Sequence, residues 1–134
     1  MDKIDRKILN ILQENCSLPV SSIAQEVGLS ASPCWKRINH MRELGIIKKE
    51  TAVLDAYYLG LGLTVFVSIT TGEHSTAWLE TFSKTITAMP EVTGFYRMAG
   101  DVDYLLRVIV SDMEAFDKFY KRLISTTALN DVTS

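Results

Sequence analysis

Apolar residues in the first third of the chain recur at the three-to-four residue spacing of helices. Further on, helical stripes alternate with short apolar runs rich in β-branched residues. Ile4, Ile8, Leu9, Ile11 and Leu12 make one stripe and predict a first helix over residues 2–15. Asp2 can cap its start, and Asp5 in the first turn suits the positive end of the helix dipole. A second helix, starting at Pro19 or Val20 and reaching Val27, offers Ile23, Ala24 and Val27 to a core. A third, over residues 31–44, turns Cys34, Ile38, Met41 and Leu44 inward, with Pro33 in the first turn where a missing N–H costs little. Between them, Val27-Gly28-Leu29-Ser30 reads as a tight turn in which Gly28 supplies left-handed backbone and Ser30 a capping hydroxyl. The chain after Gly45 reads as a strand, a wing, continuing through Thr51-Ala52-Val53-Leu54.

Residues 55–60 read as a linker turn, and a second unit starts at Leu61. Residues 63–70 form a buried strand by composition, 77–89 a helix with Trp78, Phe82, Ile86 and Met89 inward, and Pro90 stops it. Residues 92–98 and 104–110 read as strands around an Ala99-Gly100-Asp101 turn. Ser111 or Asp112 can cap a last helix to about Ser125, with Met113, Phe116, Phe119, Tyr120 and Leu123 as its buried stripe. The order β-α-β-β-α predicts a ferredoxin-like sheet with both helices on one face, a fold that takes a fourth strand. That strand should begin at Asp131, so the expectation is a truncated last strand. The fold class is α+β: a winged helix-turn-helix over 1–54, a linker over 55–60, and a ferredoxin-like βαββα(β) unit over 61–134.

The formal net charge is −2, which by itself argues against a nucleic-acid partner. The charge is unevenly spread, however. Residues 31–49 hold Lys36, Arg37, Arg42, Lys48 and Lys49 against Glu43 alone, whereas residues 51–134 hold six basic and ten acidic residues. A local basic surface attracts phosphates whatever the distant charge. Ser32, Lys36, Arg37, Asn39 and His40 fall on the third helix's outer face, where Lys and Arg can donate to guanine O6 and N7 and Asn can pair with adenine. Ser30 at the helix start and Lys48 and Lys49 on the wing complete the expected DNA contacts. Trp35 can pack against the first helix or stand beside the DNA, and core packing is the expectation. Cys16 and Cys34 show no metal or redox spacing and are expected as buried free thiols in a reducing cytosol. No apolar run approaches the roughly 20 residues of a membrane span, and the N-terminus lacks a signal-peptide core.

Several ordered motifs together resemble the Lrp/AsnC family of feast/famine transcription regulators. They are residues 2–9 (DKIDRKIL), Val27-Gly28-Leu29-Ser30, Cys34-Trp35-Lys36-Arg37-Ile38, Leu44-Gly45-Ile46-Ile47, and residues 98–106 (MAGDVDYLL). The resemblance implies a cytoplasmic homodimer or higher even assembly, possible up to an octamer, joined through the C-terminal sheets. It also implies a small amino-acid effector, with no other cofactor and no metal, bound near residues 100–105. By that similarity Asp103 would pair with the effector's ammonium, backbone N–H groups near Gly100 would take its carboxylate, and Met98 and Tyr104 would wall its side chain; Asp101 belongs to the same turn. The wider match around Cys34-Trp35-Lys36-Arg37 and the Gly94-Phe95-Tyr96-Arg97-Met98 strand looks like a branch of the family tied to amino-acid catabolism, sulfur amino acids among the candidates. Pro19 departs from the family's usual polar cap, which should only blunt the start of the second helix.

Catalysis is not expected. Asp101 and Asp103 lack a nearby His or Cys, His40 and His74 lie in other segments, and no phosphate-cradling glycine loop or metal spacing is present. The alternative is an architectural DNA-binding protein that assembles without an effector. A third possibility, a sensor acting through a protein partner, differs from both in lacking the steep salt dependence of phosphate contacts.

Overall fold

The computed structural model describes residues 1–126 and 131–133. The chain divides into two compact units, Met1–Val53 and Leu54–Ser134.

The first unit holds three helices, α1 (Lys3–Glu14), α2 (Val20–Val27) and α3 (Ala31–Glu43). Asp2 starts α1 with a reciprocal capping box: its Oδ1 accepts from the Asp5 N–H at 2.9 Å, and Asp5 Oδ2 accepts from the Asp2 N–H at 3.0 Å. Gly28 ends α2 in the left-handed region (φ 74°), and the Leu29 N–H then reaches the Ala24 carbonyl at 2.9 Å. That closure turns the chain sharply into α3. Ile8, Ile23, Ala24, Cys34, Ile38 and Met41 are buried together, with Leu9, Leu12, Val27 and Ile47 packed around them. Removing each isoleucine or Met41 side chain from water contributes roughly 1.5–3 kcal/mol.

In several places the structure corrects the pattern. Ser30 is the N-cap of α3, but its hydroxyl makes no capping bond. Leu44 is exposed, because Gly45 turns the chain (φ 76°) and Ile47 takes the inward place instead. The expected strand after Gly45 does not form. The Ile46 and Ile47 N–H groups fold back onto the Met41 carbonyl, and among the described residues no strand pairs with residues 48–55. Cys16 is exposed, lying beyond the end of α1 where the stripe no longer runs; Cys34 is buried as expected.

The second unit begins with a 3₁₀ turn, Ala56–Leu59, where a linker turn is expected; Asp55 caps it and left-handed Gly60 closes it. The elements β1 (Leu63–Thr70), α4 (Thr76–Thr87), β2 (Val92–Arg97), β3 (Tyr104–Val110), α5 (Met113–Thr126) and β4 (Asp131–Thr133) follow. The sheet order is β2-β3-β1-β4. All pairs are antiparallel, and β4 joins β1 through Ile69 opposite Val132. This is the ferredoxin-like arrangement, including the strand expected from Asp131. Val67, Ile69, Tyr104, Leu106, Val108 and Val110 point to the helices and pack on Phe82, Ile86, Phe116, Phe119 and Leu123. Met113, expected in that stripe, is exposed. It is the first residue of α5, and its Cα–Cβ bond leans toward the helix start, away from the stripe. The other sheet face carries exposed Phe66 and Tyr96 and half-buried Leu105 and Ile109.

Candidate nucleic-acid interface and effector turn

The buried positions of α3 are Cys34, Ile38 and Met41. At 3.6 residues per turn, Ser32, Lys36, Asn39 and Glu43 fall within about 60° of arc on the opposite side. Ser32 and Lys36 are exposed and Asn39 is half-buried, so the middle of the expected face is open to a major groove. His40 is exposed on one flank of this arc. Trp35 lies on the other flank and is 53% exposed, against the expectation of core packing. It stands one residue, about 100°, beyond buried Cys34, which is too far round to reach the core.

The basic residues separate into paired and unpaired. Arg37 is expected on the open face, but its guanidinium lies on the start of α1. Nη1 donates to Asp2 Oδ2 at 2.7 Å and to Asp5 Oδ1 at 2.9 Å. Arg42 donates to Asn39 Oδ1 at 3.0 Å and pairs with Glu50 at 2.6 Å, tying the segment after α3 back to the helix. Lys36, Lys48 and Lys49 are exposed and have no acidic partner among the described residues, so their charge is available to phosphates. Ser30 adds a hydroxyl not used for capping.

The Asp5 backbone N–H, reinforced by the Arg37 guanidinium, lowers the Asp2 carboxyl to a pKa of about 2. The same two carboxylates raise Arg37 further, and burial pushes the Cys34 thiol up. A carboxyl whose folded value lies below the ordinary aspartate value of about 3.9 stabilises the fold above that value and loses its contribution as pH falls toward 2. Asp2→Asn is therefore expected to melt at a lower temperature than the parent at pH 6, and the two melting curves should converge near pH 2. A constant gap across thermal scans from pH 6 to pH 2 would show that the charge of Asp2 is not what matters.

In the second unit, Asp103 stitches the turn before β3 to the end of β1. Its N–H donates to the Ile69 carbonyl at 3.0 Å, its carbonyl accepts from the Met98 N–H at 2.9 Å, and Oδ2 accepts from the Thr71 N–H at 2.8 Å. Oδ1 makes no hydrogen bond among the described residues. Thr71 is buried, a partner that no sequence signal marks. Gly100 adopts φ 108°, and a side chain there would have no atom within 4 Å, so the backbone can be approached closely. Asp101 is exposed in the same turn and Met98 is 40% exposed. Tyr104 departs from the expected pocket wall: only 6% of it is exposed. The pleat turns it to the helical side, where its ring lies 5.4 Å from Phe95, 5.6 Å from Phe82 and 6.4 Å from Trp78. Among the described residues no group of His, Cys, Asp and Glu could hold a metal, and no helix is long and apolar enough to cross a membrane.

A helix-turn-helix with an open basic face, joined in one chain to a ferredoxin-like unit, defines a DNA-binding regulator with a second, ligand-binding domain. Residues 1–48 match the winged helix-turn-helix DNA-binding model, and residues 64–134 match the Lrp/AsnC ligand binding domain. The chain belongs to the Lrp/AsnC family of transcription regulators, and it is not an enzyme. It is 50% identical to the DNA-binding transcriptional activator DecR of Escherichia coli K12, over 100% of this chain and 89% of that one. It is also similar to an AsnC family transcriptional regulator from Agrobacterium tumefaciens, with TM-score 0.94 and 53% identity over 99% of this chain and 87% of that one. A transcriptional regulator from Neisseria meningitidis, solved as a complex with L-Met, superposes with TM-score 0.93 and 33% identity over 99% of this chain and 86% of that one.

Proposed function

We propose that this protein is a sequence-specific regulator of amino-acid metabolism whose assembly or DNA binding responds to a small amino acid. The observation that carries the effector reading is the turn over residues 98–103. It offers open backbone at Gly100, a carboxylate at Asp103 with one oxygen uncommitted, and exposed Asp101 and Met98 beside them. An ammonium suits Asp103, a carboxylate suits the N–H groups around Gly100, and an apolar side chain suits Met98. The L-Met bound by the Neisseria relative supports an amino acid as the ligand and puts sulfur amino acids first among those to test.

Phe66, Tyr96, Leu105 and Ile109 leave an apolar sheet face that a second copy would cover, giving a homodimer that associates further into even assemblies in the cytoplasm. Paired recognition helices would then enter successive major grooves of a near-palindromic site, with Ser30, Ser32, Lys36, Asn39, His40, Lys48 and Lys49 toward the DNA. The effector would act by binding two assembly states unequally.

The test is a thermal-unfolding screen against the twenty amino acids. A ligand at about 100 times its Kd should add roughly 2.7 kcal/mol to the folded state. Asp103→Asn keeps an acceptor for the Thr71 N–H but removes the charge, so it should fold normally and lose most of this shift. A full shift in that variant would move the pocket elsewhere. No shift with any amino acid, in a protein that still binds DNA, would favour the architectural alternative.

A further inference from the structure

Arg37 differs from every other basic residue around α3. It sits on the flank nearest α1, 32% exposed, and one nitrogen bonds two carboxylates. The capping box uses Asp2 Oδ1 and Asp5 Oδ2, and Arg37 takes the remaining oxygen of each residue. All four carboxylate oxygens are thus engaged in one closed network linking the first turn of α1 to the middle of α3. Among the described residues these are the only hydrogen bonds between the two helices. The rest of that junction is apolar packing through Ile8, Cys34, Ile38 and Met41. Apolar packing is non-directional and tolerates rotation of one helix against another, whereas a charged, hydrogen-bonded pair selects one arrangement.

We propose that Arg37 is a positioning residue for DNA recognition: clamped by Asp2 and Asp5, it sets the rotation of α3 against α1 and so aims Ser32, Lys36 and Asn39, and it touches neither phosphate nor base. The inference rests on the DNA-binding reading above. Its physical basis is the steep geometric demand of base contacts, which must be held within about 0.5 Å and 10–20°. At Asp2 the Asp5 N–H, with the Arg37 guanidinium beside it, holds the carboxyl down to about 2, so this end of the clamp stays charged across the physiological range.

The experiment uses the full chain, a duplex selected by the parent protein from random sequence, and an unrelated duplex. Affinities are measured over a series of salt concentrations, well below the melting temperature of each variant. Asp5→Asn makes the protein more positive, so simple electrostatics would tighten its grip on any DNA. The clamp predicts the opposite for the selected duplex: about a tenfold loss, the effect of one charged hydrogen bond, with binding to the unrelated duplex undiminished. Arg37→Ala should lose a similar factor with its salt slope unchanged, and Arg37→Ala combined with Asp5→Asn should be no worse than Arg37→Ala alone. A slope reduced by about 0.9 per bound chain in Arg37→Ala would make Arg37 a phosphate contact and overturn the proposal. Lower melting temperatures with unchanged selected-site affinity would overturn it too, by reducing the clamp to a stability device. A parent protein that selects no sequence would instead defeat the DNA-binding reading itself.

Discussion

Replacing Lys36, Lys48 and Lys49 together with alanine is expected to weaken DNA binding and flatten its dependence on salt. Each phosphate neutralised contributes about 0.9 to the slope of log affinity against log salt, so three lost contacts should remove about 2.7 for each chain on the duplex, about 5.4 for a bound dimer. Between 50 and 200 mM salt that slope difference amounts to roughly fortyfold per bound chain in how far affinity falls. The expectation follows from which cations are unpaired. Arg37 is held by two carboxylates and Arg42 by Glu50, whereas these three lysines stand exposed without an acidic partner among the described residues. Titrating a labelled duplex across a salt series checks it. An unchanged slope would take the three lysines off the DNA. A variant of Arg42 would be a poor substitute, since losing it also frees Glu50 and the segment that carries Lys48 and Lys49.

The second large effect concerns stability. Tyr104→Ala is expected to cost about 3–5 kcal/mol, as for other large aromatic side chains removed from a core. A domain stability of about 5–15 kcal/mol leaves little after such a loss. The ring of Tyr104 lies within an aromatic cluster of Phe82, Phe95 and Trp78, and its backbone directly follows Asp103. Tyr104→Phe keeps the ring and removes a hydroxyl that makes no hydrogen bond among the described residues, so it should cost less than about 1.5 kcal/mol. Denaturant melts of both variants, followed by circular dichroism, separate the two. If alanine cost as little as phenylalanine, the ring would be a pocket wall and not a core element. At the expected cost of about 3–5 kcal/mol, loss of the effector response in Tyr104→Ala carries no information about contact with a ligand.

Elements whose period matches their burial were legible from residue order. β1 and β3 begin and end where the apolar runs at Leu63–Thr70 and Tyr104–Val110 do, because one face of each strand is packed against helices. Gly28 was legible for a different reason: few residues other than glycine adopt its left-handed backbone at no cost, and the turn requires it. The misreadings share a cause as well. Periodicity says which side a residue faces but not what stands there. Helical spacing places Leu44 inward and hydrophobicity favours the same for Trp35, yet the core beside them is filled by Ile47 and Cys34. The family resemblance makes Tyr104 a pocket wall, whereas the pleat of β3 carries it to the helical side. The wing segment has the composition of a strand, but composition supplies no hydrogen-bond partner.

The sequence by itself determined the helix-turn-helix, the β-α-β-β-α order with a fourth strand expected, and the candidate basic face, because these depend on local backbone preference and on spacing along one element. Only the tertiary structure decided which of those basic residues are free. Arg37 meets Asp2 and Asp5 from 35 and 32 residues away, and Asp103 meets Thr71 from 32 residues away. Charge pairing and burial are settled by distance in space, and that distance exists only once the helices and strands have packed.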